Sequence, residues 1–191
     1  MKIIETELDG VLIIEPAVFN DQRGFFLETY NQNRYQEHGI KSNFIQDNMS
    51  FSTKGTLRGL HFQHPHGQSK LVQVPQGEVY DVVVDIRPES STFGHWLGEY
   101  LSDANKKQIF IPEGFAHGFC VMSDTVLFQY KCSDFYAPEC EGGILWSDPD
   151  LAINWPVEAP VVSEKDAKFS CLKDIAEEKL PSYKLKSTTF G

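Results

Sequence analysis

The sequence has little that would serve a membrane, nucleic-acid-binding or disulfide-stapled secreted protein. No uninterrupted apolar stretch approaches the roughly 20 residues a bilayer-spanning helix needs, so a soluble protein is expected. Basic residues are scarce, 17 Lys and Arg against 27 Asp and Glu for a formal charge of -10, and they form no run. A chain of that sign lacks the basic face that neutralises phosphates, which argues against a sequence-independent nucleic-acid binder. An anionic ligand would need a local positive pocket in an acidic protein. The four cysteines, Cys120, Cys132, Cys140 and Cys171, make neither a CxxC pair nor a zinc-ligand spacing. The start Met-Lys-Ile-Ile-Glu-Thr-Glu has no signal-peptide apolar run, so free thiols and a cytoplasmic location are expected. Internal repeats, low-complexity tracts and linkers are missing too. A chain of 191 residues is too short for two ordinary domains, and one domain over 1–191 is expected, with a core to about residue 170 and an extension over 171–191.

What is present is a dense series of β-type runs between turn residues, at 11–15, 24–30, 44–52, 57–63, 70–75, 77–85, 94–101, 108–111, 118–122 and 126–133. Such spacing reads as an all-β sandwich or barrel rather than alternating βα units. In residues 77–85, Val79, Asp81 and Val83 share one face and Tyr80, Val82 and Val84 the other, so both faces are covered, as between two layers. Helical signal is confined to 31–37 and to a capping-box outline at Ser163-Glu164-Lys165-Asp166 that opens a helix towards Lys168. The polar tail from residue 179 to 191 reads as loosely held.

Chemistry concentrates where Arg58-Gly59-Leu60-His61-Phe62-Gln63 is followed by Gln68-Ser69-Lys70-Leu71-Val72. Strand alternation puts Leu57, Gly59, His61 and Gln63 on one face and Arg58, Leu60 and Phe62 on the other. Lys70 shares a face with Val72 and Val74, which lets its ammonium lie beside the imidazole on a neighbouring strand. A neutral imidazole and a fixed cation suit proton abstraction next to a carbonyl. Taken singly, these residues have plainer readings. His61 also suits a satisfied structural histidine, Arg23 and Glu28 an exposed cross-strand pair, Tyr130 a core tyrosine, and Asp166 a helix start. Trp96, Trp146 and Trp155 read as packing residues, and His64, His66 and His95 as surface or loop histidines.

Ile111-Pro112-Glu113-Gly114-Phe115-Ala116-His117-Gly118-Phe119 has the Pro-x-Gly-x-x-His-x-Phe form of the second cupin motif. Joined to residues 58–63, to Phe19-x-Asp21-x-Arg23-Gly24-Phe25-Phe26-x-Glu28, to Gln46-Asp47-Asn48 and to Ser163-Glu164-Lys165-Asp166, it makes the chain resemble the dTDP-4-dehydrorhamnose 3,5-epimerase family over residues 1 to about 170. The resemblance implies a cupin-like jelly roll, a double-stranded β-helix with a few short helices, and a homodimer. It implies no cofactor and no metal. The substrate it implies is a dTDP-linked 4-keto-6-deoxyhexose, epimerised at C3 and C5, although relatives of this kind also act at one carbon alone. By resemblance His61 is the base, Asp166 its orienting carboxylate, Lys70 the group that stabilises the enolate oxygen, and Tyr130 the acid on the opposite face of the sugar. Arg23 and Arg58 map near the diphosphate. Glu28, Gln46, Asp47, Asn48, His117, Glu141 and Lys165 map to the substrate site, with Phe19 and Phe26 against base or sugar.

Two rivals remain at this point. A metal-dependent cupin would place a second His two residues after His61 and an acidic ligand seven before Gly77, where the chain has Gln63 and Lys70, an ammonium in place of a carboxylate. A non-catalytic sugar-binding jelly roll would keep aromatic and Arg contacts without needing His61, Lys70 and Tyr130 together.

Overall fold

Runs of Val, Ile and Phe that can bury a face only against another layer become strands wherever Gly, Asp and Ser turns break them. The structure, a computed structural model, describes residues 1–182. The strands are β1 (Lys2–Glu5), β2 (Leu12–Glu15), β3 (Val18–Asp21), β4 (Gly24–Leu27), β5 (Gln46–Thr53), β6 (Leu57–Gln63), β7 (Lys70–Gln76), β8 (Glu78–Asp85), β9 (Trp96–Ser102), β10 (Gln108–Ile111), β11 (Phe115–Val121), β12 (Thr125–Cys132) and β13 (Glu141–Gly143). One helix, α1 (Gln32–Glu37), lies between β4 and β5, capped by the Asn31 side chain. Two antiparallel sheets, ordered β1-β2-β10-β7-β12-β5 and β13-β6-β11-β8-β9, form the body, while β3 and β4 pair only with each other. From β5 to β13 the chain changes sheet at every step except β8 to β9, which is the winding of a jelly roll.

Three clusters follow from strand alternation. Between the sheets lie Val72, Val74, Val79, Val83, Ile109, Ile111, Phe119, Val126 and Phe128. The other face of the five-stranded sheet, with Leu60, Phe62, Val82, Val84 and Ala116, packs against Ile144, Leu151, Leu172 and Leu180 from the last third of the chain. The other face of the six-stranded sheet, with Ile14, Leu71 and Phe110, packs against Tyr35 and Ile40 in and after α1. The double coverage of β8 is therefore the second sheet on one side and irregular chain on the other. Trp96 and Trp155 pack as expected, donating their indole N–H groups to the carbonyls of Leu151 and Trp146.

The structure departs from the sequence reading in instructive places. β1, β3 and β13 were not expected, and Glu141-Gly142-Gly143 has no β propensity of its own; pairing with β6 makes it a strand. β11 starts at Phe115 rather than 118 because Phe115, Ala116 and His117 pair with Asp85, Val84 and Val83 of β8, and its Gly118 lets β6 approach closely. A Cβ at Gly59, where φ is +127°, would sit 2.6 Å from the Gly118 Cα, so only glycine fits there. The expected helix at Ser163 is a single 3₁₀ turn, Asp166–Lys168, although the Ser163 hydroxyl does accept the Asp166 N–H at 3.0 Å. Leu180 is only 6% exposed, so the chain is anchored beyond residue 179; the rest of the tail read as loose, 183–191, lies outside the described residues. Among the described residues no helix is long and apolar enough to cross a membrane.

Candidate active site

The β6–β11 ladder places the first two functional side chains and corrects one expectation. His117 pairs with His61 but Phe119 pairs with Arg58, a register shift that inserts one extra residue on β6 at Gly59-Leu60. Simple alternation would turn Arg58 away with Leu60 and Phe62. The bulge instead brings Arg58 to the inner side with His61, where its Nε donates to Ser52 Oγ at 3.1 Å. Lys70 does not lie on a neighbouring strand either, since β7 belongs to the opposing sheet. It reaches His61 across the sandwich, and His61, Lys70, Tyr130, Tyr136 and Glu141 line one cavity of about 90 Å³.

His61 is half-buried and its Nε2 lies 2.9 Å from Asp166 Oδ1. The other carboxylate oxygen accepts the Gly59 N–H at 3.1 Å, so the bulge and the 3₁₀ turn hold the carboxylate from two sides. Burial raises the Asp166 pKa, but the hydrogen bonds from His61 and from the Gly59 N–H outweigh it and hold the carboxyl below its ordinary value. With Nε2–H committed to a carboxylate, Nδ1 carries the free lone pair. The sign of the linkage is then fixed. A carboxyl depressed on folding lends stability above its unfolded pKa of about 3.9 and loses it as pH falls through the folded value. The melting-temperature gap between wild type and Asp166→Asn is expected to be widest near neutrality and to close as pH drops below 4. A gap independent of pH in calorimetric scans would remove the ionised carboxylate from this account.

The facing wall is cationic. Burial pushes the Lys70 ammonium pKa down, with Cys132 and the carboxylates of Asp81 and Glu141 pulling it partly back. Its Nζ stands 5.9 Å from the centre of the Tyr130 ring. Burial raises the Tyr130 hydroxyl, and Arg58 opposes that rise, so the phenol is protonated at neutral pH. His117 Nε2 lies 2.9 Å from Asp81 Oδ2; His117 is 6% and Asp81 0% exposed. Burial lowers the His117 pKa in spite of that partner. Along β5, Gln46 and Asn48 turn inward: Asn48 Nδ2 donates to Cys132 Sγ at 3.5 Å and Gln46 Nε2 to Asn48 Oδ1 at 3.1 Å. At the mouth, Glu141 accepts from Lys165 at 2.5 Å and from the Tyr136 hydroxyl at 2.6 Å.

The remaining sequence-predicted residues stand apart from this cavity within one chain. Asp47 alternates to the outer face of β5 and pairs with Lys131 at 2.9 Å. Glu28 pairs with Arg34 at 2.9 Å near α1. Arg23 is ion-paired with Asp21 in the β3–β4 ribbon, and Phe19 and Phe26 there are 64% and 70% exposed. Sequence reasoning passed over Asp81 and Tyr136. The first carried a signal, since a carboxylate between two inward valines demands a buried partner; the second, in an irregular loop, carried none. Among the described residues no three His, Cys, Asp or Glu side chains are grouped as metal ligands, and at Lys70 the cavity wall holds an ammonium instead.

A jelly roll whose inner wall carries a histidine–carboxylate pair, an ammonium and a protonated tyrosine belongs to the class of cupin-type proteins with a site equipped for proton transfer. The family model described as dTDP-4-dehydrorhamnose 3,5-epimerase matches residues 5–174. The chain is 56% identical over 168 residues to the enzyme of that name from Shigella flexneri, covering 87% of this chain and 93% of the other. It is 50% identical over 176 residues to that of Methanothermobacter thermautotrophicus, covering 91% and 95%. Among solved structures it is similar to the dTDP-6-deoxy-D-glucose-3,5-epimerase of Legionella pneumophila in complex with dTDP-4-keto-L-rhamnose, with a TM-score of 0.94, 52% identity, and 96% of this chain and 99% of that one covered. The chain belongs to the dTDP-4-dehydrorhamnose 3,5-epimerase family.

Proposed function

We propose that the protein converts dTDP-4-dehydro-6-deoxy-D-glucose into dTDP-4-dehydro-L-rhamnose by removing and returning a proton at C3 and at C5. The observation that carries this is the single cavity lined by His61, Lys70 and Tyr130, with His61 bonded to the buried Asp166 at 2.9 Å. The C4 carbonyl makes the hydrogens on both neighbouring carbons acidic, because charge left by either proton flows onto the same oxygen. His61 takes each proton through Nδ1, and Asp166 stabilises the imidazolium. The Lys70 ammonium meets the enolate oxygen in a site where little water competes. Tyr130 returns a proton from the opposite face, and that second face is what inverts the centre. Incubation with the 4-keto substrate in D2O, followed by NMR, tests the reading. Deuterium at C3 and C5 of an inverted product is expected; label at one carbon makes the protein a mono-epimerase, and none at either overturns the proposal.

The nucleotide is anchored by Arg58, Gln46, Asn48, His117, Glu141 and Lys165, with the remote binding energy holding the sugar in place. Arg23, Glu28, Phe19, Phe26 and Asp47 complete the substrate site, the ribbon residues by reaching a second copy of the chain. The protein is then a homodimer, each chain one domain over 1–191, working in the cytoplasm, to which four unpaired cysteines are suited. The ribbon's pairing with neither sheet and its exposed phenylalanines support the exchange. Light scattering is expected to give twice the chain mass of 21.7 kDa, and a monodisperse monomer at working concentration would remove the dimer. Activity is expected to survive EDTA, since carbonyl activation comes from Lys70; turnover lost on chelation and restored by one divalent ion would revive a metal site.

A further inference from the structure

The catalytic cavity shares a wall with a second pocket. That pocket, of about 430 Å³, is lined by His64, His66, Arg87 and Glu113 among others, and the residues that border both spaces are Gly67, Gly114 and Pro181. Two of these three are glycines. Among the described residues, the pyrrolidine ring of Pro181 is therefore the one side chain in the partition. Gly114 cannot thicken it: a Cβ there, where φ is +95°, would meet the Arg87 Cδ at 2.6 Å.

The segment that carries Pro181 is held in place by its own packing. Leu180 is buried in the cluster that contains Leu60 and Phe62, the two residues flanking His61 on β6. Its N–H donates to the Glu177 carbonyl at 2.9 Å, and the Lys179 N–H donates to that of Ala176 at 2.9 Å. Proline then fixes the chain direction without leaving an N–H to satisfy. Pro181 lies beyond the end of the family match at residue 174, so this wall is not part of the pattern that defines the family.

Building on the proposed function, we infer that Pro181 is a specificity-determining residue for the sugar, an apolar partition that receives the C6 methyl of a 4-keto-6-deoxyhexose while His61 and Tyr130 address the ring. Most of the cavity wall carries charged, amide and hydroxyl groups, whereas Pro181, with Gly114, Phe115 and Phe62, offers an apolar surface. A 6-deoxyhexose has one apolar substituent to match it. A C6 hydroxyl would be desolvated there without a partner.

Steady-state kinetics on wild type, Pro181→Ala and Pro181→Gly test the assignment, with dTDP-4-keto-6-deoxyglucose compared with its 6-hydroxy analogue and dTDP affinity measured by calorimetry. The glycine variant is expected to raise KM for the 6-deoxy substrate roughly tenfold and to lose preference for it over the analogue, with alanine intermediate. Its dTDP affinity and melting temperature are expected to match wild type. Unchanged KM and preference overturn the inference, as does a KM rise matched by an equal loss of dTDP affinity, which would tie Pro181 to the nucleotide instead. A wild-type protein inert towards the 6-deoxy substrate would remove the proposed function itself, whereas normal wild-type turnover with unaffected Pro181 variants removes only the role of Pro181.

Discussion

His61→Asn is expected to stop both proton removal and product formation, while Tyr130→Phe keeps removal and loses inversion. Asparagine is a conservative substitute, because its amide overlays the Nδ1 and Cδ2 end of the ring, although it stops short of the Nε2 position that lies 2.9 Å from Asp166 in the wild type. What it lacks is a basic lone pair at the position of Nδ1. General acid/base groups contribute on the order of 100-fold to 10,000-fold, so the loss of turnover should reach at least that scale, with no deuterium entering C3 or C5. Phenylalanine at 130 retains the ring, which lies 6.0 Å from the centre of the Phe128 ring, and removes only the hydroxyl. His61 still takes and returns protons on its own face, so deuterium enters recovered substrate with retained configuration. Binding of dTDP should persist in both variants, since Arg58, Gln46 and Asn48 are untouched. Wild-type exchange and turnover in His61→Asn would reject His61 as the base and leave the fold standing.

The parts of this site that could be read from sequence are those in which a residue's neighbours along the chain determine where it points. His61 on β6 and Lys70 on β7 fall at positions where alternation alone turns them inward, and the bounds of β6 and β10 are those the apolar pattern predicts. Arg58 shows the limit of that logic. One inserted residue at Gly59-Leu60 reverses its face, and the cause is the close passage of Gly118 on another strand, 60 positions away in the chain, where a Cβ would meet the Arg58 carbonyl oxygen at 2.6 Å. β13 is invisible for the same reason, since Glu-Gly-Gly becomes a strand only against Phe62 and its neighbours. Asp166 was found through its motif, not its geometry: a capping outline predicts a helix start, and nothing local says that the carboxylate will turn to an imidazole 105 residues earlier. Short-range patterns thus gave the sheets and the inward face, and long-range pairings decided which polar groups meet.

Lys70→Met should lower kcat by roughly 100-fold to 1,000-fold, the range seen when a group that stabilises a developing oxyanion is removed. The enolate oxygen bears most of its negative charge only as the proton leaves, so an ammonium placed for it acts mainly in the transition state, and KM should change far less than kcat. Methionine matches the apolar stem of lysine out to the ε-carbon, which limits repacking around Val72 and Tyr130. Stability separates this from structural damage. Burial lowers the Lys70 pKa, so folding disfavours its charged form; between the depressed folded value and the ordinary value of about 10.4, the unfolded chain binds more protons and stability rises with pH. At neutral pH the ammonium is therefore a cost to folding, and Lys70→Met is expected to melt at or above the wild-type temperature while turning over far more slowly. A variant that is markedly less stable, or one that loses affinity for substrate in proportion to its loss of rate, would make Lys70 a structural or ground-state binding group and leave the enolate oxygen without its cation.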